Sequence, residues 1–210
     1  MRVVIGMATI KGRELQLQRT LDSLEGQADE IIVWNNDLKN NDYSDLGKFT
    51  PLQLFKEPVY FFSCDDDILY PPTYVKDMIS KIDMYGTIVT HHGRTLRGLD
   101  RDYYRGHYGY RCLGFVPQDT LIDVAGTGVT AFKTDYFNPT ELYKQPFERM
   151  GDLVFSLEAA KQGKEIMILA HKEGDFIDLK APEETTCYFR EKDDQSKQIA
   201  IANEIYKLKH

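Results

Sequence analysis

Between residues 3 and 90 the chain alternates short β-rich apolar runs with stretches whose apolar residues recur at helical spacing, and few architectures accept that order. Val3 to Ala8 reads as a strand. Glu14 to Leu24 follows, with Leu15, Leu17, Leu21 and Leu24 close to one face of a helix, and Ile31 to Trp34 reads as a second buried strand. Leu52 to Phe55 and Val59 to Phe62 read as two more strands, separated by the breaker pair Glu57-Pro58. Pro71-Pro72 suits the first turn of a helix, where the missing N–H would be unpaired anyway, and Val75, Met78, Ile79 and Ile82 supply its apolar stripe. Thr87 to Thr90 is a further strand. Parallel strands joined by helices predict a Rossmann-like α/β sheet, in which ligands gather at the carboxyl ends of the strands.

From Gly93 to Gln118 the periodicity fails, and a segment this long and rich in glycine, tyrosine and arginine reads as a functional loop. Within it Arg94, Arg97, Arg101, Arg105 and Arg111 are interleaved with Tyr103, Tyr104, Tyr108 and Tyr110, a combination suited to gripping phosphates or sugars. Val129 to Phe132 resumes as a strand, Asp152 to Gln162 as a helix, Glu165 to Ala170 as a strand and Ser196 to Leu208 as a closing helix. No repeat or linker divides the chain, so one domain is expected over residues 1–210.

At 42% hydrophobic residues the chain can bury a full core. Its formal charge of -7 opposes broad attachment to nucleic acid or anionic lipid. No window approaches the roughly 18 consecutive apolar residues of a membrane span. The N-terminus lacks a cleavable signal pattern, so a cytoplasmic location is expected. Cys64, Cys112 and Cys187 are scattered and odd in number, which predicts reduced thiols.

The chemistry centres on Asp65-Asp66-Asp67, at the exit of the hydrophobic run Tyr60-Phe61-Phe62. Three adjacent carboxylates repel one another, and a divalent cation removes the conflict. Magnesium and manganese take oxygen ligands and commonly combine one or two carboxylates with substrate phosphates. The competing reading is a solvated acidic turn that caps the next helix. Asn36 and Asp37, closing the second strand, can hydrogen-bond a nucleobase or ribose, or form an ordinary turn. After the first strand, Thr9 can meet a base or ribose, and Lys11 and Arg13 a phosphate. Gly126 and Gly128 let a backbone approach a ligand closely, or make a plain turn. Asp152 opens a helix and reads equally as a general base or as a helix cap. His171 is the preferred third metal ligand beside Asp65 and Asp67, and His91 and His92 are expected neighbours of the site.

Taken in order, Val4 to Arg13, Ile31 to Asp37, Asp65-Asp66-Asp67 with Ile68-Leu69-Tyr70-Pro71, Gly126-Thr127-Gly128 and Gly151-Asp152-Leu153 resemble the GT-A glycosyltransferases, especially the inverting family 2 type. That resemblance implies a single GT-A domain, a mixed sheet flanked by helices, with residues 1–92 as the nucleotide-binding half and 93–210 as the acceptor-binding half. It implies a nucleotide-sugar donor, UDP-linked by preference, whose base meets Thr9 and Asp37, whose ribose meets Asp65, and whose diphosphate is neutralised by Mn2+ or Mg2+ on Asp67. Asp152 would then deprotonate the hydroxyl of a glycan or other acceptor. The usual acidic pair appears here as Gly151-Asp152, so its first member is missing unless Glu148 substitutes. Two alternatives stand beside this reading. One is a sugar-phosphate nucleotidyltransferase, which wants a glycine-rich basic loop after the first strand. The other is a non-catalytic nucleotide- or carbohydrate-binding module.

Overall fold

A computed structural model describes residues 1–37, 42–144, 150–182 and 195–210 of the chain. Strands β1 (Arg2–Thr9), β2 (Glu30–Asn35) and β3 (Val59–Cys64) lie side by side in the order β2-β1-β3, all parallel, and helix α1 (Glu14–Leu24) connects the first two. All six residues of β3 are buried, as expected of a central strand covered on both faces. Successive side chains of a strand point to opposite faces. Phe61 accordingly packs with Phe49 and Phe132 on one side, and Phe62 meets Tyr74 on the other.

Beyond β3 the sheet continues through β10 (Val129–Lys133), β5 (Ile88–Thr90), β11 (Ile166–Ile168) and β8 (Thr120–Ile122). The seven strands make one mixed sheet, because β10 runs antiparallel to both β3 and β5, and β8 runs antiparallel to β11. Helix α3 (Gly151–Lys161) and helix α4 (Ser196–Lys209) cover the Phe61 face; α1 and helix α2 (Tyr74–Tyr85) cover the Phe62 face. Two small sheets sit outside this frame. One pairs β4 (Ile68–Leu69) with β12 (Ile177–Asp178), and the other places β6 (Gly93–Thr95) between β7 (Tyr108–Tyr110) and β9 (Val124–Ala125). The architecture is the expected Rossmann-like α/β domain with a mixed sheet.

Three local expectations are corrected. Leu52 to Phe55 is no strand: Ser44–Leu54 forms a 3-10 helical stretch. Residues 46–52 are all buried there, and among them the large apolar side chains Leu46, Phe49 and Leu52 recur every third position, which is the 3-10 repeat, while Leu54 is 65% exposed. Pro71-Pro72 precede α2 instead of opening it, with the Tyr74 N–H closing a turn onto the Pro71 carbonyl at 3.0 Å. The Gly93 to Gln118 segment is partly regular, since β6 and β7 form an antiparallel pair inside it. The mixed character of the sheet is as expected: β10 starts at the rim where β3 ends and runs back antiparallel to it.

The 3-10 stretch lies against β1, and glycine makes that approach feasible. A Cβ on Gly6 would stand 2.1 Å from the Lys48 carbonyl oxygen. This contact brings Asp45 and Lys48 toward the rim where β1 and β3 end.

Candidate active site

The carboxyl ends of β1 and β3 and the start of β10 meet at one rim of the sheet, and the main chain ties them there. The Asp65 N–H donates to the Gly128 carbonyl at 3.2 Å, and the Tyr70 hydroxyl donates to the same oxygen at 2.5 Å. Over this rim opens a cleft of about 340 Å³. Six carboxylates line it (Asp42, Asp45, Asp65, Asp66, Asp67 and Asp152) together with three cations, Arg13, Lys48 and Arg94. The formal excess of three negative charges on this lining rejects a bare diphosphate.

The three acids of the triplet have different surroundings. Asp66 is 2% exposed and fully engaged: Thr9 donates to Oδ2 at 2.6 Å and Arg13 to Oδ1 at 2.6 Å. Through these two bonds it fastens the ends of β1 and β3 while lining the cleft. Asp65 accepts from the Lys48 ammonium through Oδ1. Against desolvation, which opposes ionisation, that ammonium and Arg13 hold Asp65 below the usual carboxylate range. Asp67 has Arg13 at 3.3 Å from Oδ2. Burial and the neighbouring Asp65 charge push it up to about 7. Among the described residues neither Asp65 Oδ2 nor Asp67 Oδ1 accepts a hydrogen bond, and both oxygens remain accessible. Two open carboxylate oxygens beside an under-compensated charge fit a hard divalent cation completed by phosphate oxygens.

Lys48 is the cation that sequence reading missed. Its side chain is 3% exposed, and the carboxylates of Asp65 and Asp45 keep it protonated despite burial. Asp45 and Lys48 are three residues apart, so in a 3-10 helix they eclipse on one edge. Asp45 Oδ2 accepts the Gly151 N–H at 2.7 Å, at the N-terminus of α3, while Oδ1 is buried without a partner. Burial, opposed by Lys48 and by that N–H, pushes Asp45 up to about 6.

Asp152 lies in the first turn of α3. Its Oδ1 accepts from the Thr127 N–H at 2.7 Å and from the Thr127 hydroxyl at 2.8 Å, which fixes the carboxylate in one orientation. Oδ2 carries no hydrogen bond among the described residues, so an open oxygen of Asp152 lines the same cleft as the triplet.

The remaining predicted residues divide between the cleft and its surroundings. Thr9, Arg13 and Asn36 line it. Asn36, however, joins β2 to the 3-10 stretch, donating to the Ser44 carbonyl at 3.0 Å and accepting from the Tyr43 N–H at 3.2 Å. Asp37 and Lys11 lie outside the lining and bond to each other, Asp37 accepting the Lys11 N–H. Gly126 and Gly128 make room for side chains of this chain: a Cβ on Gly128 would stand 2.0 Å from Asp65 Oδ2, and one on Gly126 would stand 2.7 Å from His92.

The expectation for His171 is corrected. It does not line the cleft, and its ring nitrogens face main-chain oxygens, Nδ1 at 2.8 Å from Leu169 and Nε2 at 3.0 Å from Arg111, so no lone pair is aimed at an ion. Among the described residues no three His, Cys, Asp or Glu side chains are grouped to hold a metal. His91 belongs to an aromatic cluster with Tyr74, His171 and Phe176, where burial and the facing His171 pull it down to about 3. His92 accepts the Cys112 N–H at 3.4 Å and lies next to the Gly126 turn. Glu148 and Cys187 fall outside the described residues; Cys64 and Cys112 are buried free thiols.

Arg94, Tyr103 and Tyr104, singled out from composition, close the far side of the cleft with Gln198 from α4. The Arg94 guanidinium lies 4.8 Å from the Tyr103 ring and 5.8 Å from the Tyr104 ring. Nothing in the spacing of Asp45, Lys48 or Gln198 marked them for a site. The one available signal was the three-residue recurrence of Leu46, Phe49 and Leu52, which would have put Asp45 and Lys48 on a common edge.

No helix among the described residues is long and apolar enough to cross a membrane. No family model matches the chain, and no curated protein matches it. Solved structures similar in overall arrangement include A197 from STIV, 13% identical over 84% of this chain and 83% of that one, with a TM-score of 0.47. Another is the inositol-1-phosphate CTP transferase from T. maritima, 15% identical over 97% of this chain and 77% of that one, with a TM-score of 0.42. Identities and scores at this level carry no activity across, so the functional reading rests on the cleft.

Proposed function

We propose that the chain is a metal-dependent glycosyltransferase that moves a sugar from a nucleotide-sugar donor, UDP-linked by preference, to a hydroxyl acceptor with inversion. The observation that carries this reading is the pairing, in one cleft, of two open carboxylate oxygens on Asp65 and Asp67 with the oriented carboxylate of Asp152. A lining with excess negative charge admits a diphosphate only together with a divalent cation. Asp67 Oδ1 and Asp65 Oδ2 would hold Mn2+ or Mg2+, which when bound neutralises the leaving diphosphate as a Lewis acid. Lys48 and Arg13 keep the triplet in place, and Thr9 lines the β1 end of the cleft for base and ribose. Asp152 Oδ2 takes the proton from the attacking hydroxyl, a contribution of roughly a hundredfold or more.

Nucleotidyl transfer gains less support. A triphosphate loop after β1 would need free backbone N–H groups, yet those of Lys11 and Gly12 are bonded to the carboxylates of Asp37 and Glu14. A non-catalytic binding module leaves the orientation of Asp152 unexplained. Isothermal titration of UDP and GDP, with and without Mn2+, tests the reading: binding of at least one nucleotide only when the metal is present is expected, and its absence for both ends it.

A further inference from the structure

Gln198 stands where the pattern of its helix calls for an apolar residue. Ile201, Ala202 and Ile205 form the buried stripe of α4, and Gln198 continues that stripe at helical spacing. It is 2% exposed, and its amide oxygen is buried without a hydrogen-bond partner. A buried amide oxygen without a partner costs free energy in the empty protein. Gln198 also lines the cleft that holds Asp152. Beside it stand Tyr103 and Tyr104 with Arg94 across their rings, and the loop bearing them is tied to the start of α4 by the Tyr103 N–H, which donates to Gln195 Oε1 at 2.9 Å.

Resting on the glycosyltransfer reading, we propose that Gln198 is the specificity-determining residue of an acceptor subsite and recognises a hydroxyl group of an uncharged sugar. A half-turn of the amide exchanges its donor and acceptor ends, so a hydroxyl can be met in either sense. Tyr104, half-buried with the Arg94 guanidinium 5.8 Å from its ring, lines the same cleft and can meet the apolar face of a pyranose. Charge decides against an anionic acceptor. A divalent cation offsets at most the charge of the bound diphosphate, so the lining keeps at least its formal excess of three negative charges when the acceptor arrives.

Saturation-transfer NMR on the full chain with UDP and Mn2+ tests this. The probes are methyl α-D-glucopyranoside, methyl α-D-mannopyranoside, methyl β-D-galactopyranoside and methyl β-D-xylopyranoside, with glucuronate and glucose 6-phosphate as charged counterparts. At least one methyl glycoside should receive saturation and neither charged sugar should. Gln198→Leu should weaken the bound glycoside about tenfold, the worth of one hydrogen bond, while the UDP–Mn2+ affinity stays within twofold. The melting temperature of the empty variant should be unchanged or higher, since an orphan polar group has been removed. Gln198→Met carries the same expectation with an unbranched chain if the leucine does not fit. The proposal is overturned if no glycoside binds a protein that does bind UDP, if the charged sugars bind as well as the neutral ones, or if the variants bind like the parent. Repeating the spectra without nucleotide separates the two readings: Gln198-dependent sugar binding by a chain that ignores UDP would keep the subsite and remove glycosyl transfer.

Discussion

Asp45→Asn should stabilise this protein at neutral and alkaline pH and do much less in acid. In the folded chain burial lifts the Asp45 carboxyl from an ordinary 3.8 to about 6. A folded-state value above the unfolded one means that the native protein retains its proton over a range where the unfolded chain has lost it. The associated stability is therefore fully present below about pH 4 and is lost as pH rises through about 6. A shift of roughly two units corresponds to about 3 kcal/mol at pH 8 and about 1 kcal/mol at pH 4.5. Asparagine never ionises, yet its side-chain oxygen can still accept the Gly151 N–H now bonded to Asp45. At pH 8 the variant should melt about 6–12 °C above the parent, at about 2–4 °C per kcal/mol for a domain of this size, and at pH 4.5 the gap should shrink to about a third. Thermal melts followed by circular dichroism at the two pH values measure it. Equal gaps at both, or a less stable variant at pH 8, would show that Lys48 keeps Asp45 ionised throughout and that the burial argument has the wrong sign.

Three further outcomes are expected. Asp152→Asn should lower kcat at least a hundredfold while the affinity for UDP with Mn2+ stays within about threefold, because the base acts on the acceptor and not on the donor; a binding module would show no change in any property. Asp67→Ala should abolish metal-dependent nucleotide binding, and in the parent protein titration calorimetry should find Mn2+ affinity rising about tenfold per pH unit up to about 7 and levelling above it, since the ion must displace the proton that burial and Asp65 retain on Asp67. Gly128→Ala pushes a methyl group against Asp65 Oδ2, where the built Cβ stands 2.0 Å away, and should cost about 1–3 kcal/mol in a denaturant melt together with most of the UDP binding.

The order of strands and helices, the acidic triplet at the end of β3 and the position of Asp152 at the start of α3 were legible in the chain. The hydrophobic periods that signal those elements are local, and the exit of a buried strand is a fixed address in an α/β sheet. The partnerships between these addresses were not legible. The triplet read as a run of open acids, Asp65 and Asp67 for the metal and Asp65 and Asp66 for the donor, yet Arg13 and Thr9 hold Asp66, Lys48 balances Asp65, and Asp67 is left under-compensated. His171 ended a predicted strand as a ligand should, but its neighbours turned out to be the carbonyls of Leu169 and Arg111. Gly126 and Gly128 read as a bare approach to a ligand, and the chain fills that space with His92 and Asp65.

Sequence alone therefore determined which residues can carry charge, metal or protons and on which strand or helix each one travels, because apolar spacing and backbone chemistry act within a few residues. Tertiary structure alone decided which carboxylates retain open oxygens, that Lys48 is the buried counter-ion, and that Gln198 and Asp152 line one cleft. Those are properties of desolvation and of contacts between positions as far apart as Asp45 and Gly151, and the energies of both exist only once the sheet has closed.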